Sequence, residues 1–221
     1  MKKIALALGV LSFLAVACNN AANEKKTDSA SKTDTSSSTP IAASGTETPP
    51  PPMDKDAMMK AWEAAKTPGD NHKLLANLNG TWENEMTMWE SPDKPPTTSK
   101  ATSVDKMILG GRYQQATFTG TFMGQPFEGI SIFGYDNTKK KFVNTWIDNG
   151  GTGIMYLEGD YDPATKSFTM TGTMKEPMSG QDCHHRQVFT ITDDKHTTME
   201  MYATMPGQKE MKMFEIKSTK K

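Results

Sequence analysis

The chain has 221 residues and a formal net charge of −1, and its charged residues, 23% of the total, mix both signs along the sequence. A composition without a basic field or an acidic tail argues against nucleic acid as a partner, and we expect none. After the first seventeen residues, no segment is apolar for long enough to cross a membrane as a helix.

The N-terminus has the pattern of an export signal. Lys2 and Lys3 precede an apolar run of thirteen residues, 4–16, which is shorter than the roughly 20 that span a bilayer. The run ends in Leu-Ala-Val-Ala-Cys, with small residues directly before Cys18. This segment resembles the lipobox of bacterial lipoproteins, in which the signal is removed before the cysteine and the cysteine is acylated.

The resemblance implies that residues 1–17 are a signal peptide and that Cys18 is lipidated. The protein would then be anchored by lipid to a membrane of a bacterial cell envelope, which the sequence does not identify as inner or outer. An ordinary secretory signal cleaved after Ala17 is the alternative. Acylation of Cys18 leaves Cys183 without a partner, so we expect no intrachain disulfide.

We predict that residues 18–52 comprise the lipidated cysteine followed by a disordered tether. The tether is rich in Ser, Thr, Ala, Lys, Asp and Pro, contains no aromatic residue, and closes with four consecutive prolines, 49–52. Such a segment cannot bury enough apolar surface to offset the entropy of ordering. All four tryptophans lie in residues 53–221, which we predict to form one domain.

Helical periodicity is confined to the start of this domain. Residues Asp54 to Lys66 place Met58, Met59, Trp62 and Ala65 at helical spacing before a Thr-Pro-Gly stop. A second short helix is predicted over His72 to Leu78, with Asp70 and Asn71 as caps.

From Gly80 onward the apolar period falls to two, which indicates strands. Nine turn signals at short spacing join ten predicted strands, and connections this short link only antiparallel neighbours. An open meander of this length would expose two long edges. We therefore predict an all-β domain, an antiparallel up-and-down barrel of about ten strands. A β-sandwich is the alternative.

The segment Gly80-Thr81-Trp82 follows the predicted helices and opens the first strand. It resembles the start of the lipocalin and fatty-acid-binding group of barrels, in which this tryptophan plugs one end. The resemblance implies that Trp82 closes an internal cavity.

A longer resemblance is to the bacterial family called domain of unknown function 1579. The matching segments are 72–75, 80–82, 86–89, 106–115 and 124–155, including Pro-Phe-Glu-Gly-Ile-Ser at 126–131 and Gly-Tyr-Asp-Asn at 134–137. The similarity covers residue 53 to nearly the C-terminus. Because the family is uncharacterised, it implies a shared fold and no particular activity.

Methionine is the unusual component of the domain. Three pairs are each separated by two positions, so a strand places both thioethers of a pair on one face: Met86/Met88, Met199/Met201 and Met211/Met213. Soft sulfur ligands select copper(I). We favour a plainer interpretation, in which methionine fills or lines an adaptable apolar interior, because the pairs lie in separate hairpins.

Residues 183–186, Cys-His-His-Arg, are the densest group of metal-type ligands. On a strand Cys183 and His185 share a face, but two ligands fall short of the three or four of a zinc site. Haem held by His184, His185 or His196 is a further possibility that nothing else in the sequence supports. We therefore assign no metal and no cofactor.

Polar residues at predicted strand ends are the remaining candidates. Trp146 and Asp148 precede Gly150-Gly151, where they would either meet a ligand at the rim or shape the turn. Arg112 follows two glycines and would either bind an anionic group or stack on Trp82.

These observations favour a non-enzymatic binding module whose barrel takes a small apolar or amphipathic ligand. Its candidate site residues are Trp82, Met86, Met88, Arg112, Trp146, Asp148, Met199, Met201, Met211 and Met213. The alternative is a structural lipoprotein with a filled barrel, whose outer face meets an envelope partner through Trp89 and the loop at Pro95-Pro96. Copper(I) or haem binding comes third. We expect no enzyme, because no nucleophile with its base can be named.

Overall fold

Two short helices precede ten strands in the part of the chain that the computed structural model describes, residues 54–90, 94–177 and 179–221. The predicted signal peptide, Cys18 and the tether lie outside these residues, as does the predicted turn at 91–93. None of the helices within them is long and apolar enough to span a membrane.

Helix α1 spans Lys55–Lys66 and helix α2 spans Asp70–Ala76, which confirms both predicted helices. The predicted bounds of α2 were wrong by two residues at each end. Asp70 and Asn71 lie in its first turn instead of capping it, and the Gly69 N–H donates to Nδ1 of His72 at 3.0 Å. An acidic residue in the first turn is favourable beside the positive end of the helix dipole.

The ten strands form a single closed antiparallel barrel in chain order, and the last strand pairs with the first. The predicted barrel is confirmed and the sandwich alternative is wrong. The strands are β1 Gly80–Met88, β2 Thr97–Ile108, β3 Tyr113–Phe122, β4 Gln125–Asp136, β5 Lys141–Asp148, β6 Met155–Asp162, β7 Ser167–Lys175, β8 Asp182–Asp193, β9 His196–Thr204 and β10 Met211–Lys220.

Short turns rich in aspartate join the strands at the end of the barrel that carries α2. Oδ1 of Asp136 accepts the Thr138 N–H at 2.8 Å, and Oδ1 of Asp162 accepts the Ala164 N–H at 2.9 Å. Lys140 and Lys166 then take left-handed conformations, with φ of 56° and 52°. A tight turn followed by a left-handed residue is a common hairpin connection, so the aspartates fix these turns locally.

This end of the barrel is closed and packed. Leu75 of α2 and Phe168 are fully buried, and Phe168 contacts Phe133 and Phe142 edge to face at ring distances of 5.0 and 4.8 Å. Helix α2 packs against β2, β3 and β4 and therefore plugs this end of the barrel. The plug and the buried aromatic and methionine side chains leave this half of the interior filled.

Trp82 fastens the plug to the first strand. Its Nε1 donates to the Leu78 carbonyl oxygen at 2.9 Å, and the ammonium of Lys220 lies 5.3 Å from its ring centre. Gly80 has φ of 144°, and a Cβ there would lie 2.6 Å from Cε of Lys220. The glycine of the Gly-x-Trp segment thus makes room for the lysine that covers the tryptophan.

Candidate functional site: the open end of the barrel

The end opposite α2 carries a cavity of about 690 Å³, formed mainly by the ends of β7, β8, β9 and β10 and the loops between them. A volume of this size suits a small molecule. Its walls combine thioethers, a thiol and an imidazole with a charged rim. The lining residues are Met174, Lys175, Glu176, Pro177, Cys183, His185, Ala203, Met205, Gln208, Lys209, Glu210, Met211 and Met213.

Strand register explains why sulfur-containing side chains meet here. Met174 lies directly opposite Cys183 across β7 and β8. In the next row His185 lies opposite Ala203, which in turn lies opposite Met211. Directly opposed residues on one face have Cβ atoms about 4.5–5.5 Å apart, so these two rows form a continuous patch of the inner wall.

Cys183 and His185 are the two most reactive groups of this wall. The Cys183 side chain is buried, and its Sγ lies 3.9 Å from Nε2 of His185. Nδ1 of His185 lies 3.2 Å from the Cys183 carbonyl oxygen, a contact that requires the proton on Nδ1 and leaves the lone pair on Nε2.

Burial sets the protonation of both groups. It raises the pKa of the Cys183 thiol above its ordinary value and lowers the pKa of the His185 imidazole. Both residues are therefore neutral at pH 7. The thiolate is the nucleophilic form of cysteine, and a raised pKa keeps Cys183 in its thiol form at pH 7.

Ion pairs border the cavity on its solvent side. Arg186 donates from Nε and Nη2 to the two carboxylate oxygens of Glu210, at 2.9 and 2.6 Å, and its guanidinium lies 4.0 Å from the ring centre of Tyr202. Lys175 pairs with Asp182 at 2.8 Å. A polar rim around an apolar interior is the arrangement that an amphipathic ligand requires.

An aromatic cluster lies at the same end of the barrel on β3, β4 and β5. Trp146 contacts Phe118 edge to face at 5.3 Å and stacks on Phe127 at 6.2 Å. Its Nε1 donates to Oδ2 of Asp148 at 2.6 Å, while Oδ1 of Asp148 accepts the Gly150 N–H at 2.9 Å. Both predicted rim residues thus shape the strand end and its turn.

Polar side chains also face the interior of the barrel. Oγ of Ser131 donates to Asn144 at 2.7 Å, and Nδ2 of Asn144 reaches Oε1 of Gln187 at 3.4 Å across the interior. On the other side of the barrel Oγ of Ser218 donates to Asn84 at 2.6 Å.

The remaining predicted site residues are spread over the whole barrel. Met211 and Met213 line the cavity, and Met213 lies at the β-bulge between Lys212 and Phe214. Met86 and Met88 lie on β1 opposite Ile216 and Phe214. Met199 and Met201 pack in the aromatic core.

Two predicted site residues lie at the closed end, far from the cavity. Trp82 fastens the plug, and Arg112 donates from Nη1 to the Leu109 carbonyl oxygen at 3.0 Å. The position over the Trp82 ring that we considered for Arg112 is taken by Lys220.

The sequence did not single out Met174 or Met205, and Cys183 and His185 were not among the predicted site residues. The signal for Met174 was its place in the β7–β8 hairpin, where the turn sets it opposite Cys183. Of the three histidines considered for haem, His184 contacts Thr173 at 2.8 Å and His196 contacts Asp193 at 2.9 Å. His185 alone of these three lines the cavity.

Among residues 54–90, 94–177 and 179–221, no three His, Cys, Asp or Glu side chains come together as a metal site. Any metal at this wall would therefore rely on the thioethers for its remaining ligands.

The family model described as "Protein of unknown function (DUF1579)" matches residues 67–220. Comparison with curated proteins gives no match. The matched segment contains the plug helix, all ten strands and every residue that lines the cavity. The chain therefore belongs to the DUF1579 family.

Proposed function

We propose that this protein is a lipid-anchored binding protein of the bacterial cell envelope, which takes a small apolar or amphipathic molecule into the open end of its barrel. The observation that carries the proposal is the cavity of about 690 Å³, bounded by a packed core below and by charged residues at the rim. Methionine side chains adapt to ligands of varied shape, and four of them line this space.

Ala203 offers a direct way to test this use of the cavity. It lies on the inner face of β9 between His185 and Met211, and it is largely buried. The substitution Ala203→Phe would fill the space between these side chains. Thr119→Phe, on an exposed outer position of β3, is the matched control.

The assay is titration of the full chain in mild detergent with a fluorescent fatty-acid analogue. We expect saturable binding by the wild type and by Thr119→Phe, and a loss of affinity of more than about tenfold in Ala203→Phe, since one blocked contact of about 1.4 kcal/mol suffices for that change. Equal affinity in all three proteins would place the probe elsewhere and refute the proposal.

The anchoring part of the proposal rests on the lipobox-like segment that ends at Cys18. Its test is incorporation of a clickable palmitate analogue in cells, with Cys18→Ser as the variant. We expect labelled protein in the membrane fraction for the wild type and unlabelled protein for the variant. Equal labelling of both would contradict acylation at Cys18.

A further inference from the structure

The inner wall of the cavity brings together ligands that the sequence separates. Cys183 and His185 come from β8, and Met174 comes from β7. Met205 directly follows β9, and Met211 begins β10. Sulfur and imidazole groups form a soft donor set. Two carboxylates also line the cavity: Glu210 accepts a hydrogen bond from Arg186, and Glu176 accepts the Ser179 N–H.

We propose that Cys183 and His185, 3.9 Å apart from Sγ to Nε2, bind one copper(I) ion at this wall together with thioethers drawn from Met174, Met205 and Met211. Metal–sulfur and metal–nitrogen bonds of about 2.3 and 2.0 Å allow two ligands of one ion to lie up to about 4.3 Å apart. The separation of the two atoms therefore accommodates a shared ion with only small side-chain movement.

The hydrogen bonding of His185 is that of a metal ligand. A ligating histidine almost always gives its second ring N–H to a carbonyl or carboxylate, which fixes the ring and the tautomer. Here the Cys183 carbonyl oxygen lies 3.2 Å from Nδ1, so Nε2 presents its lone pair toward Sγ.

The type of ligand selects the ion. Zinc sites need three or four nitrogen, thiolate or carboxylate ligands, and among the described residues no three His, Cys, Asp or Glu side chains come together at this wall. Thioethers are poor zinc ligands but good copper(I) ligands, so Met174, Met205 and Met211 complete a copper(I) site and not a zinc site.

Binding exchanges a proton for the metal. The Cys183 thiol loses its proton to solvent as the sulfur–copper bond forms, and copper stays in its +1 state throughout. Because the proton competes with the metal for the sulfur, affinity for copper(I) should increase with pH. The metal site requires no apolar occupant, because its ligands belong to the wall and leave the rest of the cavity open.

The test is an anaerobic competition between the protein and a chromophoric copper(I) chelator, bicinchoninate. The full chain carries Cys18→Ser, so that Cys183 is its one thiol. We expect one tightly held copper(I) per chain, and a loss of affinity above about 100-fold in Cys183→Ala, since even a second-shell change costs about 10–100-fold. X-ray absorption should show one nitrogen and two or three sulfur neighbours.

Two further variants separate metal binding from folding. Met174→Leu preserves the side-chain volume and should weaken copper(I) binding by about tenfold, whereas Met199→Leu in the packed core should leave it unchanged. Copper removed completely by an equimolar chelator, or equal affinity in wild type and Cys183→Ala, would overturn the site. Zinc bound as tightly as copper(I) would overturn the role of the thioethers.

The wild type separates this proposal from the apolar-ligand function, because copper(I) and the fatty-acid analogue are titrated independently. Copper(I) held tightly by a protein that does not bind the analogue would refute the apolar-ligand function and leave the metal site standing. Binding of the analogue without binding of copper(I) would overturn the metal site alone. Unfolding of Cys183→Ala at the wild-type urea concentration would show that its loss of copper(I) is not a loss of folding.

Discussion

Asp105 is a carboxylate held inside the closed end of the barrel, and its removal should stabilise the protein at neutral pH. It lies on β2 opposite Gly80, and its Oδ1 is buried without a hydrogen-bond partner among the described residues. Burial raises the pKa of this group from 3.8 to about 6, although a hydrogen bond with Ser103 and the charge of Lys220 both act to lower it.

The effect of Asp105 on the free energy of unfolding depends on when the carboxyl is protonated in the folded and in the unfolded chain. Below pH 3.8 the carboxyl is protonated in both the folded and the unfolded chain, so it costs nothing. Between pH 3.8 and about 6 the folded state holds the proton and the unfolded state releases it, so the free energy of unfolding falls as pH rises. Above about pH 6 the carboxyl is charged in both states, so the full cost of burying this charge applies. At about 1.4 kcal/mol for each unit of difference between the folded and unfolded pKa values, the cost is roughly 3 kcal/mol.

We expect Asp105→Asn to be more stable than the wild type by roughly 2–3 kcal/mol at pH 7.5 and nearly equal to it at pH 3.5. Urea unfolding followed by circular dichroism across this range measures the difference, and Asp194→Asn in an exposed turn is the control. A difference that does not change with pH, or a variant less stable than the wild type at pH 7.5, would refute a buried charged carboxylate.

Three further predictions follow from the packing. Phe168→Ala removes a fully buried ring from the aromatic core and should lower the free energy of unfolding by about 3–5 kcal/mol in urea; a loss below about 1 kcal/mol would contradict the packing described. Asn137→Ala removes an amide within 3.2 Å of three carbonyl oxygens at the end of α1. Hydrogen exchange in α1 should therefore accelerate, while the free energy of unfolding of the barrel changes by about 1 kcal/mol or less. Unchanged exchange would show that other contacts hold α1. Cys183 should react slowly with a thiol reagent in the folded protein and rapidly in urea, because burial both shields the thiol and raises its pKa. Equally fast reaction in both states would mean that the thiol is exposed to solvent in the folded protein.

The two-residue apolar period after Gly80, together with the short spacing of the turn signals, was sufficient to predict the barrel. Alternation after Gly80 and short turns such as Asp136-Asn137 specify neighbouring strands, and the need to cover two edges then closes the sheet. The place of Trp82 at the plugged end was implied only by the resemblance of Gly80-Thr81-Trp82 to the start of lipocalin-like barrels.

The site was harder to predict because it depends on strand register. Met174 meets Cys183 only through the pairing of β7 with β8, and Met211 joins the same patch through β9. Likewise Lys220, not Arg112, covers Trp82 because closure of the barrel aligns the end of β10 with the start of β1. The pattern of a single strand carries no information on such contacts between strands.

We propose that the open end of the barrel holds a small apolar molecule. Mass spectrometry of an organic extract of the natively purified full chain tests it most directly, with Ala203→Phe extracted in parallel. We predict about one molecule of a defined apolar compound per wild-type chain and a strong depletion of that compound in the variant. The same compounds in equal amount from both proteins would contradict the claim.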